Sequence, residues 1–257
     1  VTFSMVRTLT RVGPNSYMFW FSPHPGPVSG VHLRLSNATV VWPDGSGVVG
    51  RITAAPIAMS GEEPSSSAAR GCLPHSIHNV SARFENHSSV LLLTPGHRLT
   101  AFEFDHRDST PTQNPAAKID PQDDVRGVVA CGVRHVSIVF VQSHFGLADA
   151  LKPATCAPGH FAVFTGGTTA WVTVSLASSV VRSVLHQGMA MFLVAPDSVT
   201  GFAHVVLSLR NNSRVEYVGG WAHSARGNSQ ILNVISAGAI NVSLTVEDSR
   251  IEATGSS

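Results

Sequence analysis

Charge is what this chain lacks most. Only 13% of its 257 residues are Asp, Glu, Lys or Arg, where a soluble globular protein carries about 25%. Seventeen basic and sixteen acidic residues leave +1, so no net field steers nucleic acid or an anionic membrane. Long apolar runs are also missing. The run Gly127 to Val133 stops at Arg134-His135, far short of the roughly 20 residues of a spanning helix. Lysine is confined to Lys118 and Lys152 against fifteen arginines, and the balanced charge shows no acidic or basic tail. The three cysteines, Cys72, Cys131 and Cys156, are widely spaced with no Cys-x-x-Cys pair, arguing against a disulfide scaffold, a zinc site or a redox centre. Helical periodicity is nearly absent. A soluble chain this poor in charge, with 43% hydrophobic residues, reads as one whose surface is covered by other copies or partners.

Short segments rich in Val, Ile, Thr and Phe are punctuated by Gly, Pro, Asn and Ser, the mark of an all-β protein. Strands are expected near Val31 to Trp42, Val48 to Thr53, Ile77 to Phe84, Ser88 to Leu93, Leu99 to Phe104, Val128 to Val141, His160 to Phe164, Ala170 to Leu176, Met189 to Val194, Ala203 to Leu209, Arg214 to Trp221, Gln230 to Ile235 and Ile240 to Val246. Short helices are conceivable over Phe145 to Leu151 and Ser178 to His186. Long loops run from Ser22 to Gly30, Ser60 to Gly71 and Asp105 to Asp124, and connections of that length usually carry contacts. No repeat of fixed period stands out, which argues against a propeller or solenoid. Uneven strands joined by long loops fit a single Greek-key β-sandwich of the jelly-roll type over residues 1–257.

Thirteen histidines raise the question of metal or acid–base chemistry. Their spacing supplies neither: His75 and His78 are close but lack a carboxylate or cysteine to complete a site. The adjacent acids Glu62-Glu63 and Asp123-Asp124 read as solvated loops, and a hydrolase or lyase pairing a histidine with Asp123 or Asp124 is the weakest reading. There is no Gly-x-Ser-x-Gly elbow, and Gly166-Gly167 and Gly219-Gly220 flank strands instead of opening helices. No catalytic residue, cofactor or metal is expected. Full protonation of the histidines would add thirteen positive charges, and His204 and His223 are the candidates for a pH switch at an interface. Arg214 and Glu216, two apart on one strand face, are candidates for inter-subunit or cross-strand ion pairs. Trp171 and Trp221 are expected in the core. Five Asn-x-Ser/Thr sequons, at Asn37, Asn79, Asn86, Asn211 and Asn241, exceed chance and keep open a secreted or envelope glycoprotein that binds a host protein.

The stretch His160-Phe-Ala-Val-Phe-Thr-Gly-Gly-Thr-Thr-Ala-Trp-Val-Thr-Val174 resembles the aromatic, Gly-Gly, alternating-strand element of picornavirus-like capsid proteins, in particular the dicistrovirus, iflavirus and secovirus types. Cys131 to Val141 and the Pro-containing Leu151 to Pro158 precede it in the order of that family. Ser213 to Arg226 is similar to the family's later strand segment, and the likeness spans Val128 to Glu252. It departs at Gly167-Thr168, where the basic residue is missing, and at Gly219 to Ser224. The Asp-Asp-Phe of some relatives is Asp123-Asp124-Val125 here. The resemblance implies a jelly-roll subunit that assembles in the host cytoplasm into an icosahedral virion shell. It also implies partners: sister capsid subunits, RNA enclosed without a polybasic arm, and a host receptor. A processed start at Val1 fits release from a polyprotein.

Overall fold

In a computed structural model the chain is described over residues 1–21, 28–53, 77–93, 99–105, 132–148, 162–165, 167–185, 190–194, 199–219, 230–234 and 239–254. Among these residues every regular element is a strand. They follow in groups of three. The first coil is β1 (Thr2–Val6), β2 (Leu9–Arg11) and β3 (Ser16–Phe21). The second is β4 (Val28–Ser36), β5 (Thr39–Trp42) and β6 (Gly47–Thr53), and the third β7 (Ile77–Glu85), β8 (Ser89–Leu92) and β9 (Leu99–Asp105). Next come β10 (Gly132–Val141), β11 (His144–Leu147) and β12 (Ala162–Thr165), then β13 (Gly167–Ala177), β14 (Val180–Leu185) and β15 (Ala190–Val194). The sixth coil is β16 (Val199–Arg210), β17 (Arg214–Gly219) and β18 (Gln230–Val234), and the last pair is β19 (Ala239–Val246) and β20 (Arg250–Thr254).

Each strand pairs with the third strand before and after it, always in parallel. The result is three sheets, A (β1-β4-β7-β10-β13-β16-β19), B (β2-β5-β8-β11-β14-β17-β20) and C (β3-β6-β9-β12-β15-β18). Parallel pairing of every third strand winds the chain into a three-faced β-solenoid. The all-β expectation holds. The Greek-key jelly roll does not, because that arrangement needs antiparallel neighbours and every described ladder is parallel.

The coil forms because alternation sends every second side chain into one shared interior. In-register stacking then lines like residues into columns. One inward column is Val31, Val80, Val136, Val172, Val205 and Val242, and its neighbour is Leu33, Ala82, Ile138, Val174 and Leu207. A third stacks Leu35, Phe84, Phe140, Leu176 and Leu209, where the rings of Phe84 and Phe140 lie 4.1 Å apart at 12°. In sheet B the matching column is Val40, Val90, Phe145, Val181 and Val215. These side chains belong to one continuous core cluster that reaches from Met5 to Val215.

The columns also show why no period was visible. Successive members of the chain Leu35, Phe84, Phe140, Leu176, Leu209, Val246 are paired, yet their sequence separations are all unequal. Connections of different length interrupt an otherwise regular coil. The turn from sheet A to sheet B takes only two or three residues in every coil, whereas β6 and β7 are joined by 23 residues and β9 and β10 by 26.

Other expectations are corrected locally. The segment Val31 to Trp42 is two strands, broken where Asn37 takes φ 50°. The two conceivable helices are β11 and β14, whose Phe145 and Val181 point into the core. Val28 to Gly30 opens β4 instead of ending a loop. The stretches 60–71 and 106–124, the three cysteines, His75, Trp221 and His223 lie outside the described residues.

Candidate functional site

The sharpest local geometry lies along two rows of left-handed residues. One row forms the turn from sheet A to sheet B: Arg7, Asn37, Asn86, Gln142, Ser178, Asn211 and Asp248 all have φ between 46° and 55°. Asparagine and its short polar relatives tolerate this conformation best among residues with a Cβ. Just inside it runs a serine ladder. The amides of Ala38, Ser143, Ser179 and Ser213 donate to the hydroxyls of Ser88, Ser179, Ser213 and Ser249, each on the next coil, at 3.0 to 3.3 Å. Those hydroxyls donate back to carbonyls within their own coil, as Ser179 does to Ala177 at 2.8 Å. Backbone groups that the sharp corner removes from the sheet are thereby satisfied. His87, Ser89, Gln142, His144 and Ser178 line a groove of about 410 Å³ on this corner.

The second row bends sheet A near its start. Gly30, Asn79, His135, Trp171, His204 and Asn241 occupy equivalent positions with φ between 50° and 64°. Here the pH-switch candidate His204 finds its setting: its ring stacks on Trp171 at 5.0 Å, and His135 covers the opposite face at 5.4 Å. The Arg134 guanidinium carbon also lies 5.4 Å from the Trp171 ring centre. Trp171 is therefore half-buried in a surface stack and is not a core residue. The reason is its left-handed backbone, which swings the side chain away from the interior.

Arg214 and Glu216 meet at 2.7 Å on the outer face of β17, and Arg214 also reaches Glu252 of β20 at 3.4 Å. Arg182 of β14 approaches Glu216 at 3.5 Å, and Arg250 joins Glu252 at 3.0 Å. The set climbs three coils, with Arg214 beside Arg250 and Glu216 beside Glu252 in register and the ion pairs running between the two rows. A second set lies on sheet A, where Arg34 and Arg83 stack directly on one another and both contact Glu85. The hydrogen bonds from Arg83 and then Arg34 hold the Glu85 carboxyl below its ordinary value, against the opposing effect of its burial.

This stacking explains the low charge. Coils about 4.8 Å apart repeat each outward position along a column, so a like charge recurring there would be repelled by its neighbours. Outward columns are instead filled by small neutral residues, as in Ser81, Ser137, Thr173, Val206 and Ser243. Where like charges do stack, as Arg34 on Arg83, Arg214 on Arg250 and Glu216 on Glu252, a partner of opposite sign lies in the adjacent row. Among the described residues no three His, Cys, Asp or Glu side chains gather as a metal site, and no helix is long and apolar enough to cross a membrane.

No protein family, curated protein or solved structure matches this chain.

What the sequence reading missed was a pattern in plain view. Asn79-Val-Ser, His135-Val-Ser, Trp171-Val-Thr and Asn241-Val-Ser are the same bend on four coils, and Asn86-His-Ser and Asn211-Asn-Ser the same corner on two. Aligning the chain on the sequons would have exposed the repeat.

Proposed function

We propose that this chain is a non-catalytic, partner-binding β-solenoid of the secreted or envelope glycoprotein class. The observation that carries this reading is the unequal treatment of the turns. The corner from sheet A to sheet B is held at two or three residues throughout, while the connection from sheet C to sheet A grows to 23 and 26 residues on successive coils. The sheet B to sheet C connection also lengthens, to 14 residues between β11 and β12 and 10 between β17 and β18, but the two longest insertions fall between sheets C and A. Insertions on a repeat scaffold are where such proteins bind. The partner class is protein, since the chain has no net field for a polyanion.

A subunit of an icosahedral shell is the competing reading. Its support was a resemblance that implies an antiparallel jelly roll, and the coverage it supplied for a low-charge surface is now supplied by stacked coils. One experiment separates the two. Residues 54–76 and 106–131 are each replaced by a Gly-Ser linker of four to six residues, within the one to six that join sheet C to sheet A elsewhere in the coil. Binding to immobilised host surface ectodomains is then measured alongside sedimentation. Loss of binding with retained cooperative melting is expected. Binding that survives the replacement, or closed particles formed by the intact chain, would overturn the proposal.

A further inference from the structure

We propose that Asn37, Asn79, Asn86, Asn211 and Asn241 carry N-linked glycans, arranged in two rows along the solenoid; this rests on the secreted reading above. The inference stands on placement. All five asparagines are exposed, and all five hold a left-handed backbone, at 50°, 55°, 55°, 55° and 52°. Three lie on the corner between sheets A and B and two on the bend of sheet A. At such a corner the side chain leaves the coil, so a bulky substituent meets solvent and not the next strand. That removes the objection that a sequon inside a β segment has no room for a sugar.

The amides differ in their native engagements. Asn86 donates to Ser36 at 2.8 Å, and the amide nitrogen of Asn241 lies 3.3 Å from Nδ1 of His204. Asn37, Asn79 and Asn211 make no side-chain hydrogen bond among the described residues. A glycosylated amide keeps one N–H, so even the first two contacts survive the modification. The hydroxyl two residues on is a different matter. Ser88 and Ser213 are buried in the serine ladder, so modification at Asn86 and Asn211 must precede closure of their coils. Ser243 is exposed and Ser81 faces outward against His32, leaving the bend row open after folding.

The reaction joins the asparagine Nδ2 to the anomeric carbon of an oligosaccharide carried on a lipid diphosphate. The bond between that carbon and the diphosphate oxygen breaks, the lipid diphosphate leaves with the electron pair, and the amide releases one proton. A transferase of the secretory route supplies catalysis; this chain supplies only the acceptor.

The test is to secrete the chain from a eukaryotic cell and remove N-glycans enzymatically in water enriched in heavy oxygen, which marks each released site as labelled aspartate. Peptide mapping is expected to find the label at all five asparagines. Thr39→Ala, Ser81→Ala and Ser243→Ala should each abolish it at Asn37, Asn79 and Asn241 alone. A folded, secreted chain with label at none, or at only one or two of them, overturns the inference. Partner binding by bacterially produced, sugar-free chain is measured in parallel. Binding there with no label in the secreted chain would sink the glycan proposal and leave the partner-binding reading standing, whereas label without binding would do the reverse.

Discussion

The corner between sheets A and B and the connection from sheet C to sheet A sit on the same coil and follow opposite rules. The first repeats one device from coil to coil, a left-handed residue followed by a ladder hydroxyl on most coils, which accepts from a backbone amide of the preceding coil. The second ranges from one residue, between β12 and β13, to 26. The difference teaches where the fold is specified. A corner that must turn sharply inside a stacked array has few solutions, because each residue touches its own copy on the next coil. A connection that leaves the array is limited mainly by chain entropy, which grows only slowly with length.

Breaking the coil itself should have the largest effect. Gly146 has φ 121°, and a Cβ placed there would collide with the carbonyl oxygen of Arg182 on the next coil. Gly146→Ala should therefore cost about 4 kcal/mol or more, read as a lower denaturation midpoint in urea.

A corner substitution comes next. Ser179→Ala strands the buried amide of Ser143, which donates to Ser179 at 3.1 Å, and should cost about 1 to 3 kcal/mol. The adjacent Ser178, exposed and left-handed at φ 49°, is the control: Ser178→Gly relieves the Cβ strain and should leave stability unchanged or slightly raised. Equal losses at both positions would mean that the ladder is not what holds the corner.

Glu85→Gln sharpens the picture on the outer face. The folded state holds the Glu85 carboxyl below its ordinary value of 4.5, so the carboxylate contributes stability at all pH values above that range and loses it as pH falls through the lowered value. The difference between wild type and Glu85→Gln should be constant near neutrality and shrink in acid below about pH 4.5. With both arginines more than half exposed, it should not exceed about 1 kcal/mol. Urea titrations at pH 7 and pH 3 check the sign.

The long connections should act in the opposite sense, by raising stability. Cutting 23 or 26 residues to about five should stabilise the coil by about 1 kcal/mol each, from loop closure alone. A large loss on trimming would show that these residues are part of the coil and not an insertion upon it.

The same contrast divides what was legible in the sequence. Strands such as Ile77–Glu85 and Ala239–Val246 are legible because alternation of apolar and polar residues is a local signal. β11 and β14 were read as helices, since four to six residues do not fix a period. β1, β2, β3 and β20 escaped notice, lying at the ends where side chains such as Leu9 and Trp20 are 66% and 60% exposed. Trp171 was misplaced for another reason. An aromatic residue amid valines looks like core, and only its left-handed backbone turns it outward onto His135 and His204.

By itself, the sequence determined that this is an all-β chain with almost no charge, because alternation and composition act residue by residue. Which strands pair, and in which direction, was decided only in three dimensions. Parallel and antiparallel ladders use the same alternating side chains, and the choice rests on whether copies separated by 33 to 56 residues stack their valines, phenylalanines and serines in register. That register also gave the missing charge a second meaning: a charge repeated along a column faces its own kind and is held, as Arg34 and Arg83 are by Glu85, only where an opposite charge lies alongside.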